Sequence, residues 1–188
     1  NAEDVALFRH YRLAPDRAVR VIRGSGVGVG VFQPRPRPPG PPLVVQTSRM
    51  LGDKGGRGFI AAARLIKVQR PDVHFVLAGP LYPDNPSALP AEQLRAVERE
   101  GVVTWLGHVE DVVPLLSQAS IYCLASYREG LPKSLIEAGA CGIPLITTDT
   151  SGCREVVTHG ENGLLVPVAD APALAGAIRQ LLDDPALA

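Results

Sequence analysis

From Leu43 onward, short apolar runs alternate with stretches in which apolar residues recur every three or four positions. The apolar runs predict strands over 43–47, 73–78, 102–106, 120–125, 145–148 and 164–167. Between them, helical spacing predicts helices over 55–69, with Phe59, Ala62, Ala63 and Ile66 facing the core, and over 90–100, 112–118, 132–141, 153–157 and 170–182. Asp111 is placed to cap the helix at 112, and Gly160-Glu161-Asn162-Gly163 marks a turn. Strands apolar on both faces that alternate with helices predict an α/β fold. Its sheet should be doubly wound, mostly parallel and Rossmann-like, with helices on both sides.

The first 42 residues follow a different pattern. Helical spacing over 3–13 groups Ala6, Leu7 and Tyr11, and residues 18–22 read as a short strand. Gly24, Gly26, Gly28 and Gly30 then alternate with other residues, but the spacing lacks the G-x-x-G step of a dinucleotide loop and no helix follows. Residues 34–42 read P-R-P-R-P-P-G-P-P, a stiff extended segment that cannot enter a sheet interior. The chain therefore divides into a link and Pro-rich connector, 1–42, and a compact α/β unit, 43–188.

Composition narrows the class. Among 188 residues, 19 Lys and Arg balance 19 Asp and Glu, so no overall charge favours nucleic acid or an anionic membrane. No apolar run approaches the roughly 20 residues of a membrane span. The chain opens on Asn1 without a signal-peptide pattern, as expected of an excised domain or a processed chain. Cys123, Cys141 and Cys153 have no metal-ligand spacing and read as free thiols of a reducing, cytoplasmic compartment. His10, His74, His108 and His159 share no spacing, no D-x-D pair occurs, and no G-x-S-x-G elbow is present. No metal or cofactor is expected.

The chemistry concentrates at 128–144, R-E-G-L-P-K-S-L-I-E-A-G-A-C-G-I-P. A strand leads into a Gly-containing turn and then a helix, with Pro132 suited to its first position and Gly142 and Pro144 to its end. Such a turn aims the N–H groups of Gly130, Leu131 and Lys133 at one point, where the helix dipole adds positive charge and favours phosphate. Glu129 and Glu137 make sense beside a phosphate if each accepts hydrogen bonds from flanking sugar hydroxyls, as in a nucleotide-sugar. In a doubly wound sheet, ligands lie beyond the carboxyl ends of the strands. That rule gathers residues 48–54, Gly79-Pro80, Gly107-His108-Val109 and 129–133 on one edge, with Arg49 and Lys54 as the cations nearest the phosphate turn.

Seven ordered blocks carry a family resemblance. E-G-L-P-K-S-L-I-E-A (129–138) resembles the E-x7-E motif of retaining glycosyltransferases of family 4, which have the GT-B fold. S-R-M-L-G-D-K-G (48–55), F-V-L-A-G (75–79), W-L-G-H-V-E-D-V (105–112), G-I-P-L-I-T-T-D (142–149), G-C-R-E-V-V (152–157) and H-G-E-N-G-L-L-V-P (159–167) agree in order.

The resemblance implies the C-terminal, nucleotide-sugar-binding domain of such an enzyme. Arg49 and Lys54 would contact the donor diphosphate, and Glu129, with Gly130 and Leu131, the transferred sugar. Glu137 would bind the ribose, and Gly107, His108 and Val109 would line the base. It further implies metal-free transfer, with retention, of a hexosyl unit, a UDP-sugar being favoured. The acceptor would be a saccharide or lipid-linked, as in surface polysaccharide or lipopolysaccharide synthesis. The implied site is cytoplasmic, peripheral to the inner membrane face through an N-terminal domain absent from this chain. Without that domain, the isolated chain is expected to bind donor weakly and not to turn over. Where relatives read G-V-D, this chain has Gly26-Val27-Gly28 and lacks the Asp. The alternatives are a GT-B sugar-nucleotide epimerase, which would not normally combine Arg49 and Lys54 with E-x7-E, and a non-catalytic nucleotide-binding module.

Overall fold

The computed structural model describes residues 1–22 and 24–184, so the last four residues of the 43–188 unit lie outside the described residues. Six strands form one parallel sheet: β1 (Leu43–Thr47), β2 (His74–Ala78), β3 (Thr104–Trp105), β4 (Ile121–Leu124), β5 (Leu145–Thr148) and β6 (Gly163–Val166). The strand order is β3-β2-β1-β4-β5-β6. The chain thus winds outward from β1 in one direction, then restarts at β4 and winds in the other. The switch point lies between β1 and β4, where an open α/β sheet offers a crevice.

Both sheet faces are covered, which explains why β4 and β5 are buried at every position. On one face Phe59, Ala63 and Ile66 of α2 (Gly56–Lys67), Leu94 and Val97 of α3 (Ala91–Arg99), and Leu174 and Ile178 of α7 (Ala171–Asp183) enclose Val44, Phe75, Cys123 and Ile146. On the other, Leu116 of α4 (Val113–Leu116), Leu135 and Ala138 of α5 (Lys133–Ala140), and Cys153 of α6 (Ser151–Arg154) enclose Val45, Tyr122, Leu124 and Leu145. The Asp111 carboxylate accepts from the Val113 N–H at 3.0 Å, but Asp111 stands one residue ahead of the N-cap, Val112, and α4 has no side-chain cap of its own. Helix α5 ends as the sequence requires. Gly142 has φ +71°, and the Ile143 N–H reaches back to the Ala138 carbonyl at 3.2 Å.

The link differs from expectation at one place. Helix α1 (Ala2–His10) forms, but residues 18–22 make no ladder: Asp16–Ala18 is a short 3-10 turn and 19–22 carry neither helix nor strand. Alternating Val and Ile satisfy the side-chain pattern of a strand, yet a strand also needs a neighbour for its N–H and C=O groups. Here Val21 and Ile22 remain exposed. Residues 33–41 are exposed and free of helix or strand, and Phe32 anchors this connector against the α4–α5 face. Among the described residues no helix is long and apolar enough to cross a membrane.

Candidate functional site

The loops after β1 and β4 flank the switch point and are stitched together by buried polar groups. Gln46, fully buried on β1, donates to the Lys54 carbonyl at 2.9 Å and to Ser48 Oγ at 3.2 Å, and its Oε1 accepts from the Ala125 N–H at 3.4 Å. The Asp53 carbonyl accepts from Ser126 Oγ at 3.1 Å and from the Tyr127 N–H at 2.8 Å. Gly55, at φ +73°, brings the β1 loop so near β4 that a Cβ there would lie 1.8 Å from the Ala125 oxygen. A buried polar group is costly unless bonded, so this satisfied lattice fixes Lys54 against the β4–α5 turn.

Lys54 Nζ donates to Glu129 Oε1 at 2.8 Å, with both side chains 15% exposed, and to the Arg128 carbonyl at 3.4 Å. The turn itself presents donors. Among the described residues, the N–H groups of Gly130, Leu131 and Lys133 donate to no protein acceptor. Pro132 is the N-cap rather than the first helical residue, and α5 has no side-chain cap. Its first turn is therefore an uncapped, electropositive end. Glu137 sits on the second turn, 15% exposed, 3.5 Å from Lys133 Nζ.

Beneath this helix, Tyr122 is fully buried. Its hydroxyl lies 2.8 Å from Thr47 Oγ1 and donates to the Thr47 carbonyl at 3.1 Å. Burial pushes this phenol up to about 12, against hydrogen bonds from Ser134 and Thr47 that pull it down. Tyr122 thus ties the end of β1 to the first turn of α5. Burial likewise raises the Cys153 thiol, which accepts from Thr147 Oγ1 at 3.1 Å and feels the Glu129 charge.

Gly152 in α6 packs on the turn's backbone. A Cβ there would lie 2.2 Å from the Glu129 oxygen and 2.7 Å from the Gly130 oxygen.

The remaining predicted residues are placed unevenly. Arg49 follows β1 but is exposed, its guanidinium 5.6 Å above the Tyr82 ring, and it makes no contact with Glu129 or Glu137. Gly107, at φ +67°, follows β3, and its carbonyl accepts from the Gly79 N–H at 2.6 Å. Trp105 Nε1 donates to the Gly79 carbonyl at 3.1 Å, joining the β2 and β3 loops, while His108 is exposed and Val109 half-buried beside them. The structure therefore brings Lys54, Glu129, Gly130, Leu131, Lys133 and Glu137 together, with Gly107–Val109 farther along the same edge. Gln46, Tyr122 and Gly152 escaped sequence reasoning. The one signal available was a polar Gln inside an apolar strand. Among the described residues, no group of three or more His, Cys, Asp or Glu could hold a metal ion.

Comparison with known proteins identifies the family and the fold. A family model described as Glycosyl transferases group 1 matches residues 31–188. The N,N'-diacetylbacillosaminyl-diphospho-undecaprenol alpha-1,3-N-acetylgalactosaminyltransferase of Campylobacter jejuni is 36% identical over 143 residues, 76% of this chain and 36% of that protein. Sucrose-phosphate synthase from Thermosynechococcus elongatus has a similar structure, with a TM-score of 0.82 and 28% identity, over 100% of this chain and 49% of that one. Anabaena HepE in complex with UDP-glucose superposes with a TM-score of 0.73 at 21% identity, over 86% of this chain and 47% of that one. The chain thus spans 36% of the length of its curated relative and about half of each solved one.

Proposed function

The chain belongs to the group 1 glycosyl transferases, and from that premise we propose that residues 43–188 are the nucleotide-sugar-binding, C-terminal half of a retaining enzyme of family 4. The donor is a nucleotide-diphosphate sugar, a UDP-sugar being favoured, and a hexosyl unit passes to a saccharide or lipid-linked acceptor in surface polysaccharide synthesis. The observation that carries the reading is the pairing of Lys54 with Glu129 beside three unused N–H groups at the β1/β4 switch point. The UDP-glucose complex of the structurally similar HepE and the diphospho-undecaprenol acceptor named for the Campylobacter relative support the choice of donor and acceptor class.

In this reading the N–H groups of Gly130, Leu131 and Lys133 receive phosphate oxygens, and Lys54 turns from Glu129 towards the diphosphate. Arg49, exposed and resting on Tyr82, is free to swing in and close the phosphate site. These charges stabilise the diphosphate as it leaves, the largest contribution such a site can make to the reaction. Glu129 then accepts from hydroxyls of the transferred sugar, Glu137 from the ribose, and Gly107, His108 and Val109 line the base. Transfer proceeds without a metal ion, the cations supplying the charge a metal would otherwise provide. A domain N-terminal to this chain completes the cleft, and residues 1–42 lead towards it.

Titration calorimetry of this chain with UDP, GDP, ADP and their sugars tests the reading. Heat with UDP and UDP-sugars is expected. No heat with any nucleotide would overturn it in favour of an interaction module. Sugar transfer by the 188-residue chain alone would contradict the division of the site between two domains.

A further inference from the structure

The backbone on either side of Arg49 is pinned, so its side chain is the part that can move. The Ser48 N–H donates to the Ala78 carbonyl at 2.9 Å, and the Met50 N–H to the Pro80 carbonyl at 3.0 Å. The Met50 carbonyl accepts from the Leu89 N–H at 2.9 Å, and the Gly52 N–H donates to the Ser87 carbonyl at 2.6 Å. These bonds sew the β1 loop to the segment that leads from β2 to α3. Gly79 permits the approach: at φ +150°, a Cβ there would lie 1.7 Å from the Ser48 oxygen. Within the segment, Tyr82 opens a tight turn. Its carbonyl accepts from the Asn85 N–H at 2.9 Å, and Asn85 Oδ1 accepts from the Ser87 N–H at 2.9 Å. The Arg49 guanidinium carbon is 5.6 Å from the centre of the Tyr82 ring. Among the described residues no carboxylate or carbonyl holds that guanidinium, so the ring is what it rests on.

We propose that Tyr82 is a positioning residue for Arg49: a fixed aromatic post that holds the guanidinium off the β4–α5 turn until a diphosphate draws it away. This role rests on the nucleotide-sugar reading above, and it gives the β2–α3 segment a part in donor binding. A guanidinium within about 6 Å of an aromatic centre is attracted by the negative face of the ring. A phosphate attracts it more strongly, because it carries full charge and accepts two N–H bonds at once. The cation therefore leaves the ring when a diphosphate arrives, and the diphosphate binds less tightly by the worth of the contact given up. Tyr82 is 42% exposed, so that worth is the one measured for exposed pairs, about a two- to fivefold factor in an equilibrium constant. The sewn backbone makes the exchange local. Arg49 changes rotamer between two partners while residues 48 and 50 stay in place.

The test uses the full chain with Tyr82→Leu, Tyr82→Phe, Arg49→Met and the double variant Tyr82→Leu, Arg49→Met. In calorimetry, Tyr82→Leu should bind UDP about two- to fivefold more tightly than the unmodified chain. Tyr82→Phe keeps the ring and should restore the unmodified affinity. Once Arg49 is methionine, Tyr82→Leu should have no further effect. The Arg49 Nε–Hε resonance supplies a readout that a packing role would not move. The ring current should displace it in the unliganded chain, and either UDP or Tyr82→Leu should return it to the position of a solvated arginine. Unchanged or weaker UDP binding by Tyr82→Leu, an equal effect with and without Arg49, or an Arg49 resonance unmoved by UDP overturns the post. Failure of the unmodified chain to bind UDP is a separate outcome, which overturns the nucleotide-sugar reading and the post together; binding without coupling overturns the post alone.

Discussion

Gly152→Ala probes how closely the turn between β4 and α5 is held. Gly152 is buried in α6, and no left-handed backbone angle explains why glycine occurs there. Contact does: the added methyl would lie 2.2 Å from the Glu129 oxygen, 2.5 Å from its carbonyl carbon and 2.7 Å from the Gly130 oxygen. Real Cβ contacts essentially never fall below 3.0 Å, so the turn or α6 must retreat by at least about 0.8 Å. Neither partner is a flexible side-chain tip. Overpacking of this kind costs about 1–3 kcal/mol. In a chain of this size, each kcal/mol lowers Tm by roughly 2–4 °C. The same displacement moves Glu129 and the free N–H groups of Gly130 and Leu131 relative to Lys54. A misplacement near 1 Å can cost roughly a hundredfold in a positioned site. The assay is calorimetric UDP affinity beside thermal unfolding, with Gly176→Ala as control. Gly176 lies in α7 with nothing within 4 Å of an added Cβ, so alanine there should raise stability by roughly 0.5–1 kcal/mol and leave UDP binding alone. A Gly152→Ala chain with unchanged Tm and unchanged UDP affinity would refute the packing argument.

Three further outcomes follow from named contacts. Lys54→Met leaves the half-buried Glu129 carboxylate without its 2.8 Å partner and should weaken UDP about tenfold or more, with a shallower salt dependence in calorimetry. Tyr122 titrates near 12 when folded against 10.0 when free, so its contribution is complete below pH 10 and is lost as pH rises towards 12. It amounts to roughly 3 kcal/mol. Denaturant melts of Tyr122→Phe across pH 9–12 should show that slope removed, and an unchanged slope would contradict the assignment. Burial raises all three thiols, most for Cys123 and least effectively shielding Cys141, the one cysteine that is not buried. Mass spectrometry after iodoacetamide at pH 8 should find Cys141 modified first, with Cys123 and Cys153 reacting only on unfolding.

Much of the fold was legible because its determinants are local. Apolar runs such as Ile121–Leu124 need burial on both faces, and Gly142 needs the left-handed backbone that ends α5. The turn between β4 and α5 was legible for the same reason: its glycine, its proline and the eight-residue spacing of two glutamates lie in one segment. What failed to show depends on partners far along the chain. The alternation at 18–22 signals a strand but cannot supply its neighbour. Arg49 follows β1 as expected, yet its guanidinium lies over the ring of Tyr82, 33 positions later. Gly152 reads as an ordinary loop glycine until its contact with Glu129 is seen, and Tyr122 reads as one more apolar strand residue until its hydroxyl meets Thr47. The helix ends moved by one to three residues, most at the ends of α1 and α6, and by enough to make Pro132 the cap of α5 and not its first residue.

The central claim is the separate employment of two glutamates on one turn and helix: Glu129 towards the sugar and Glu137 towards the ribose. Calorimetric titration of UDP and UDP-glucose into Glu129→Ala and Glu137→Ala tests it most directly. The account predicts that Glu129→Ala loses affinity for UDP-glucose while largely keeping UDP, and that Glu137→Ala loses both alike. Equal losses for the two ligands in both variants would contradict it.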